Sequence, residues 1–230
     1  MSACRRCKII DKLSAQSARA TCYRCYRPMS SCMCGHIATI NTKTKFVLLM
    51  HDHEFRKIKN GTGHFTHLSL ENSELHVGID FSDHRRVNEL INDQNNTCYV
   101  LYPSSESLIL NQTRLYSEAK QNVIFLIDAT WACSKKMLRL STNLQKLPKV
   151  SFEHSKSSEF KIKEQPKELC LSTIESTLCV LELLNKNGDE KIVQEELDSF
   201  LNPFREMVAY QLECIGADTN APRFKRDREK

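Results

Sequence analysis

The sequence has few glycines and no long apolar run. Only six of its 230 residues are glycine, and the single G-x-G, Gly61 to Gly63, lacks the third glycine of a dinucleotide-binding turn. No G-x-x-x-x-G-K phosphate loop is present. The longest apolar runs have five residues, whereas a helix needs roughly 18 apolar residues to cross a bilayer. These absences exclude a Rossmann turn, a P-loop and a membrane span.

The N-terminus predicts a cytoplasmic protein. The opening M-S-A-C-R-R-C-K is not followed by an apolar stretch with a small-residue cleavage site, so no secretory signal is expected and the thiols should stay reduced. The 11 cysteines, an odd number, then favour metal binding, catalysis or core packing over disulfides. Residues 1–30 contain seven lysines and arginines against one aspartate, and this basic charge beside clustered cysteines favours a nucleic-acid partner.

Four cysteines within thirteen residues form a metal-binding pattern, C-x2-C-x6-C-x-C. Tetrahedral zinc takes four thiolates from two short turns, and a closed site of this kind is structural because no position stays open for water or substrate. The predicted zinc ligands are Cys22, Cys25, Cys32 and Cys34. Ordinary reduced cysteines are the alternative, and Cys4-x2-Cys7 could replace or supplement a ligand. Residues 1–36 are therefore expected to form a small basic zinc module.

Short apolar runs alternate with helical patterns after residue 36. The runs that predict buried strands are Lys45–Met50, Thr97–Tyr102, Val123–Ile127 and Glu168–Leu171. Helical spacing is found over Trp131–Leu147, Thr173–Asn185, Glu190–Phe200 and Pro203–Cys214. This alternation predicts an α/β domain over residues 37–215, with a mostly parallel sheet covered by helices on both faces. Residues 216–230 read as a basic tail.

Polar residues follow the predicted strands, at the edge where parallel sheets bind ligands. The four strand ends carry M-H-D-H-E, L-Y-P-S-S-E, I-D-A-T-W and L-S-T-I-E. Asp128, directly after a strand, either caps the following helix or acts as a general base, and position alone favours neither role. Ser172 to Glu175 matches the S-x-x-E capping box, which is compatible with ligand binding at the same helix start.

In this order the motifs resemble the DTW-domain family, the tRNA-uridine aminocarboxypropyltransferases. The resemblance covers roughly residues 20–215 and also includes M-H-D-H-E-F-R-K-I-K-N-G-T-G and the Q-P of residues 165 and 166. The family signature D-x-T-W is satisfied by Asp128, Thr130 and Trp131. Each motif alone is weak, but six motifs in the family's order are specific.

The resemblance implies a SPOUT-like core with a knotted C-terminal region. It also implies S-adenosylmethionine as co-substrate, tRNA as partner, and Asp128, Thr130 and Trp131 as catalytic residues. Asp128 would take the N3 proton of a uridine, while the aminocarboxypropyl arm of the co-substrate moves to N3 and methylthioadenosine leaves. The implied cofactor-binding residues are Leu101, Tyr102, Pro103, Ser104, Ile127, Leu171, Ser172, Thr173 and Glu175.

The sequence departs from the family pattern at two places. His51-Asp52 stands where the family has His-Pro, and the stretch before Gln165-Pro166 contains Lys161 and Lys163 instead of arginine. Lysine does not reproduce the two-pronged contact of arginine with phosphate or carboxylate. Two alternative functions are a SPOUT-type RNA methyltransferase, which would leave S-adenosylhomocysteine, and a zinc-containing RNA-binding protein without activity.

Overall fold

A parallel six-stranded sheet forms the centre of the protein. The computed structural model describes residues 20–57, 61–115, 120–155, 157–160, 162 and 170–217. The strands are β1 (Lys45–Met50), β2 (Ser73–Val77), β3 (Asn96–Leu101), β4 (Leu108–Ile109), β5 (Gln121–Asp128) and β6 (Lys149–Ser151). They lie in the order β2-β1-β5-β3-β6-β4, and each neighbouring pair is parallel. The α/β class with a mostly parallel sheet is thereby confirmed.

Helices connect and cover these strands. In the described part of the chain they are α1 (Asp52–Lys57), α2 (Gly63–Leu68), α3 (Arg85–Asn92), α4 (Trp131–Leu140), α5 (Thr142–Gln145), α6 (Thr173–Lys186), α7 (Gln194–Ser199) and α8 (Asn202–Ala217). Two short 3-10 turns, Met29–Ser31 and Cys34–His36, precede the sheet. Among the described residues, no helix is both long and apolar enough to cross a membrane.

The sheet separates two apolar cores. Successive side chains of a strand point to opposite faces, so Phe46 and Leu48 enter one core while Val47 and Leu49 enter the other. The first core is completed by residues of α6, α7 and α8, and the second by residues of α3, α4 and α5. Strands buried on both faces read as continuous apolar runs. Helices therefore cover both faces of the sheet, as predicted.

The predicted helix Trp131–Leu147 is in fact two helices, because the chain leaves helical geometry at Ser141. This buried serine accepts a hydrogen bond from the Phe81 backbone N–H at 3.0 Å. The predicted helix Glu190–Phe200 begins only at Gln194. The Glu190 carboxylate instead accepts hydrogen bonds from the backbone N–H groups of Lys43 and Thr44, 2.9 and 2.7 Å away.

Several short elements were not predicted. β4 has two residues and β6 has three, so neither produces an apolar run that could be recognised. The β2 sequence S-E-L-H-V is half-buried throughout and mixes polar with apolar residues. In the fourth predicted strand, Glu168–Leu171, residues 170 and 171 are not in a strand, and residues 168 and 169 lie outside the described residues. The C-terminal knot, which comes from the family resemblance alone, stays a prediction.

The cysteine segment, defined here as residues 20–36, packs against the sheet domain. Cys25 and Met33 belong to the first core. The buried Arg27 guanidinium lies 4.4 Å from the centroid of the Phe65 ring and donates a hydrogen bond to Met207 Sδ at 3.2 Å. Burial lowers the pKa of Arg27 to about 10. The boundaries of the 1–36 module and the 216–230 tail stay predictions, and residues 1–19 and 218–230 lie outside the described residues.

Candidate active site

A cavity of about 280 Å³ opens at the carboxyl ends of β3, β5 and β6. Parallel sheets place their strand ends and the following loops at this edge, which is where α/β proteins bind ligands. The lining residues are Leu101, Tyr102, Pro103, Leu126, Ile127, Ala129, Trp131, Ser134, Ser151, Phe152, His154, Cys170, Leu171, Thr173 and Ser176. The loops that follow three separate strands thus meet around one space with the start of α6.

Most of the residues proposed for cofactor binding lie in this wall. The ones that line the cavity are Leu101, Tyr102, Pro103, Ile127, Leu171 and Thr173. Ser104 is exposed and lies outside the lining, where its hydroxyl is 2.9 Å from Ser107 Oγ. Ser172 and Glu175 also lie outside it. The structure therefore brings the three loops together but places three of the nine side chains away from the cavity surface.

Asp128 is buried beside this wall, at the end of β5. Its Oδ1 accepts a hydrogen bond from Thr173 Oγ1 at 2.5 Å, and its backbone oxygen accepts one from the His51 N–H at 3.0 Å. Gly63 lies directly against the carboxylate, since a Cβ at this position would be 2.2 Å from Asp128 Oδ2. The aspartate is thus held by β1, α2 and α6 at once.

Thr130, rather than Asp128, caps helix α4. The Thr130 side chain accepts a hydrogen bond from the Cys133 backbone N–H at 3.4 Å, and its backbone is extended as expected for a cap. The capping role considered for Asp128 at this helix is therefore already filled. The carboxylate of Asp128 points instead to Thr173, 45 residues further along the chain.

Glu175 organises the start of α6. Its carboxylate accepts hydrogen bonds from the Ser172 N–H at 2.8 Å and from the Ser172 hydroxyl. It also binds a second segment, accepting hydrogen bonds from Ser158 Oγ at 2.8 Å and from the Glu159 N–H at 2.7 Å. The predicted capping-box contact from Glu175 to the Ser172 N–H is present, and the same carboxylate connects α6 to residues 158 and 159.

Aromatic side chains form the rim of the cavity. Trp131, the only tryptophan, is 43% exposed and packs edge-on against Tyr102 with ring centroids 6.4 Å apart. An exposed tryptophan is unexpected, because this residue is usually packed in a core. It leaves an aromatic face available to a ligand at the cavity mouth.

The lining also contains residues that sequence reasoning missed. They are Leu126, Ser134, Ser151, Phe152, His154, Cys170 and Ser176. Ser151 is the last residue of β6, and Phe152 and His154 follow it; this strand is too short to leave a sequence signal. Ser176 lies one turn after the start of α6, and helical spacing from Thr173 could have identified it. The described lining contains no lysine or arginine.

The first family departure has a simple local structure. His51 Nδ1 accepts a hydrogen bond from the His53 N–H at 3.1 Å, and Asp52 begins α1 and pairs with Arg56 at 3.4 Å. Acidic side chains in the first turn of a helix interact favourably with its dipole. The second departure, at Lys161, Lys163 and Glu164, lies outside the described residues.

The four predicted metal ligands form a compact cluster. The sulfur atoms of Cys22, Cys25, Cys32 and Cys34 all lie within 4.8 Å of one another. Two of the sulfur–sulfur distances are 3.7 Å, between Cys22 and Cys34, and 3.8 Å, between Cys25 and Cys32. Hydrogen bonds from the backbone N–H groups of Cys25 and Arg24 lower the pKa of the Cys22 thiol to about 6. The cluster can hold a metal ion.

Only part of the predicted basic surface can be located. Arg24 is exposed, whereas Arg27 is buried between α2 and α8 and so does not offer its charge to a polyanion. The arginines at positions 5, 6 and 19 lie outside the described residues.

Comparison with known proteins gives a consistent result. Residues 19–212 match the DTW domain family. The chain is 29% identical over 199 residues to tRNA-uridine aminocarboxypropyltransferase 2 of Mus musculus and 28% identical over 201 residues to the protein of that name from Drosophila melanogaster. Each alignment covers 85% of this chain, but 64% of the mouse protein and 76% of the fly protein. No solved structure matches the chain.

The family match extends over most of the chain and includes the sheet, the cavity wall and the cysteine cluster. The aspartate, threonine and tryptophan of the signature lie together at the end of β5 and the start of α4. The chain spans 64% of the length of the two mammalian relatives that it matches, which is less than two thirds. On this evidence, the chain belongs to the DTW domain family.

Proposed function

We propose that the chain transfers the 3-amino-3-carboxypropyl group of S-adenosylmethionine to N3 of a tRNA uridine and releases methylthioadenosine. The proposal rests on one observation above all. The D-x-T-W aspartate is buried next to a cavity that is walled by the other family motifs, and Thr173 donates a hydrogen bond to its carboxylate. Similarity to proteins named as tRNA-uridine aminocarboxypropyltransferases supports the same activity.

The cavity suits the proposed co-substrate. Its wall combines aromatic and aliphatic side chains, such as Tyr102, Trp131 and Leu171, with hydroxyl groups such as those of Ser134 and Thr173. Aromatic rings favour an adenine base, and the absence of lysine and arginine from the described lining avoids repulsion of a sulfonium cation. When bound, S-adenosylmethionine supplies an electrophilic carbon next to the positively charged sulfur.

Asp128 is proposed as the general base. Uridine N3 is a weak nucleophile while it carries its proton, so a nearby carboxylate that accepts this proton accelerates attack. The N3–carbon bond forms as the carbon–sulfur bond of the aminocarboxypropyl arm breaks, and the electron pair stays on sulfur. Thr173 orients the carboxylate through its hydroxyl, and Gly63 allows α2 to approach it closely. Thr130 fixes the start of α4 and Trp131 shapes the mouth of the cavity.

Zinc is the proposed metal of the cysteine cluster. With zinc–sulfur bonds of about 2.3 Å, a tetrahedron has sulfur–sulfur edges of about 3.8 Å. The observed 3.7 and 3.8 Å edges agree with this value. Four thiolates close the coordination sphere, so the ion would be structural. The exposed Arg24 and the basic residues of positions 1–19 would contact tRNA phosphates, and a cytoplasmic location is part of this proposal.

The identity of the transferred group is the decisive test. Purified protein is incubated with tRNA and S-adenosylmethionine labelled either in the carboxyl group or in the methyl group. We expect carboxyl label in RNA and methylthioadenosine in solution. Label entering RNA only from the methyl group would make the protein a methyltransferase, and label from neither position would favour an RNA-binding protein without activity. Mass spectrometry of tRNA nucleosides from cells lacking the protein should show loss of the same modification.

A further inference from the structure

Three aromatic rings from different parts of the chain form a cluster beside Asp128. Tyr26 lies in the cysteine segment, Phe55 in α1 and His64 in α2. The ring centroids are 5.0 Å apart for Tyr26 and His64, 5.6 Å for Tyr26 and Phe55, and 5.2 Å for Phe55 and His64. All three pairs are tilted and within the range of aromatic contact. We call this group the ring cluster.

The ring cluster lies across Asp128 from the cavity. In the sheet, β5 has β1 on one side and β3 on the other. The cavity is built on the β3 side, whereas α1 and α2 follow β1. Asp128 joins the two sides, because it binds the His51 N–H at the start of α1 and contacts Gly63, the residue before His64. A nucleotide that reached Asp128 opposite to the co-substrate would pass the ring cluster.

Tyr26 occupies this position at a conformational cost. Its φ angle is 56°, and among the described residues it is the only residue other than glycine with a positive φ. Left-handed backbone is unfavourable for a bulky side chain, and glycine would adopt it without strain. Such outliers persist where the surrounding structure holds them, and they cluster at functional sites. The hydrogen bonds of Tyr26 N to Cys22 O and Cys22 N to Arg27 O, both 2.8 Å, hold this turn.

The Tyr26 ring is also open to solvent. It is 45% exposed although it contacts two other rings, and the adjacent Arg24 side chain is exposed as well. Proteins that bind single-stranded RNA combine basic residues with aromatic side chains on which unpaired bases stack. Zinc knuckles are among the modules that bind RNA in this way. Phe55 and His64 thus cover only part of the Tyr26 side chain, and the exposed part is accessible to a base.

We infer that Tyr26 is a stacking platform for an unpaired base of the RNA substrate, which the cysteine segment presents next to Asp128. The inference rests on the proposed function for the identity of the RNA, and it makes Tyr26 an RNA-binding residue. The metal cluster then has a consequence for binding, since Cys25 and Cys22 set the turn that carries the ring. Tyr23, which is 91% exposed on the same segment, lies outside the ring cluster and provides a matched comparison.

The test measures binding of an unmodified tRNA transcript to the full chain and to three variants of it. Tyr26→Leu removes the aromatic face but keeps apolar contact with Phe55, and should weaken binding by about 5- to 150-fold. Tyr26→Phe keeps the ring and should bind nearly as tightly as the unchanged chain. Tyr23→Leu should change the affinity for tRNA by less than twofold. The slope of affinity against salt concentration should be the same for Tyr26→Leu as for the unchanged chain, because no phosphate contact is removed.

Folding and activity are read separately. Zinc content and melting temperature show whether the cysteine segment is intact, and Tyr26→Asn replaces Tyr26→Leu if the latter loses metal, because asparagine tolerates left-handed backbone. The inference is overturned if Tyr26→Leu or Tyr26→Asn, with normal zinc content and melting temperature, binds tRNA within twofold of the unchanged chain. It is also overturned if Tyr23→Leu loses more affinity than Tyr26→Leu. Transfer assays with the two labels separate this outcome from failure of the proposed function, because binding is measured without turnover.

Discussion

The sheet and the cysteine segment differ in how much apolar surface they bury. Every residue from Phe46 to Met50 in β1 is buried, whereas in the cysteine segment only Cys25, Arg27 and Met33 are buried. A buried aliphatic or aromatic side chain contributes about 1.5 to 3 kcal/mol, so β1 alone supplies more apolar stabilisation than the whole segment. Segments with so small a core need additional cross-links, such as bound metal ions, to fold stably.

This difference predicts two kinds of response to substitution. In the sheet domain, the fold is over-determined by two cores, so a polar side chain at the cavity can be changed with little loss of stability. In the cysteine segment, the four cysteines proposed to bind metal are also the residues on which folding of the segment would depend. Activity should therefore be separable from folding at Asp128 but inseparable from it at the cysteines.

The largest effect is expected for Asp128→Asn. The amide keeps the shape and an oxygen that accepts the Thr173 hydrogen bond, but it cannot take the N3 proton. Turnover should fall on the order of a hundredfold to ten-thousandfold, with unchanged melting temperature and unchanged binding of S-adenosylmethionine. Steady-state kinetics, calorimetry and thermal unfolding measure the three quantities.

The matched control is Asp93→Asn, an exposed aspartate before β3 at the opposite end of the sheet. It should leave turnover unchanged. Near-normal turnover of Asp128→Asn would remove the general-base role, and a large loss of stability in that variant would contradict the separation of activity from folding in the sheet domain.

Cys25→Ser should have the next largest effect, on stability. A metal ion at a thousand times its dissociation constant stabilises the native chain by about 4 kcal/mol, which is roughly 8 to 16 °C in melting temperature for a chain of this size. Cys25 is also part of the first core. We expect loss of bound zinc and a lower melting temperature, measured by metal analysis and thermal unfolding.

Cys214→Ser is the control for this substitution, because Cys214 is exposed on α8 and outside the cluster. Its zinc content and melting temperature should match those of the unchanged chain. If Cys25→Ser kept full zinc content and the same melting temperature, the metal assignment would be wrong.

Gly63→Ala should have an intermediate effect. The new Cβ would meet Asp128 Oδ2 at 2.2 Å and Met50 Cε at 2.7 Å, so α2 or the carboxylate must move. Overpacking of this kind costs about 1 to 3 kcal/mol of stability, and displacement of the base should also lower turnover. In Gly35→Ala nothing lies within 4 Å of the added Cβ, so this change in the cysteine segment should be neutral. Equal effects of the two substitutions would contradict the close contact at Asp128.

Glu74→Gln should have the smallest effect. Arg86, 2.8 Å away, together with His76 and Lys45, lowers the pKa of Glu74 on β2 to about 2. Because the pKa of Glu74 is lower in the folded chain, its ionised carboxylate stabilises the fold at pH values above the ordinary pKa of 4.5. This stabilisation is lost as the pH falls towards 2.

Because solvent screens this partly exposed cluster, the substitution should cost only about 1 kcal/mol at pH 7. The difference between the variant and the unchanged chain, measured by denaturant unfolding, should shrink below pH 4.5. Glu71→Gln, an exposed carboxylate just before the same strand, should show no such pH dependence. A difference that grew in acid would contradict the assigned ion pairs.

The parts of the fold that follow from local pattern were predictable from the sequence. β1 and β5 are apolar runs, and α6 begins with a capping-box sequence and ends next to Asn187-Gly188. The four cysteines are close in sequence, so their spacing already indicated a shared metal. The Asp128 strand end was equally visible, because a polar motif directly follows a buried run.

Other features depend on contacts between distant residues. The break at Ser141 reflects a hydrogen bond to Phe81, 60 residues earlier, and the burial of Arg27 requires Met207, 180 residues later. Ser172 and Glu175 were grouped with the pocket loops, but only tertiary packing shows that Glu175 binds residues 158 and 159. No local pattern contains such information.

Local pattern was enough to predict the fold class, the cluster of four cysteines and the order of the site motifs, since apolar periodicity and cysteine spacing act over a few residues. Three features became visible only in the folded chain: which loops share the cavity, that Thr130 and not Asp128 caps α4, and that Tyr26 packs against His64 of α2. These arrangements depend on strand order and long-range packing. Strand order depends on burying both faces of the sheet at once. The side chains that bury them come from distant parts of the chain, so no local segment specifies the order.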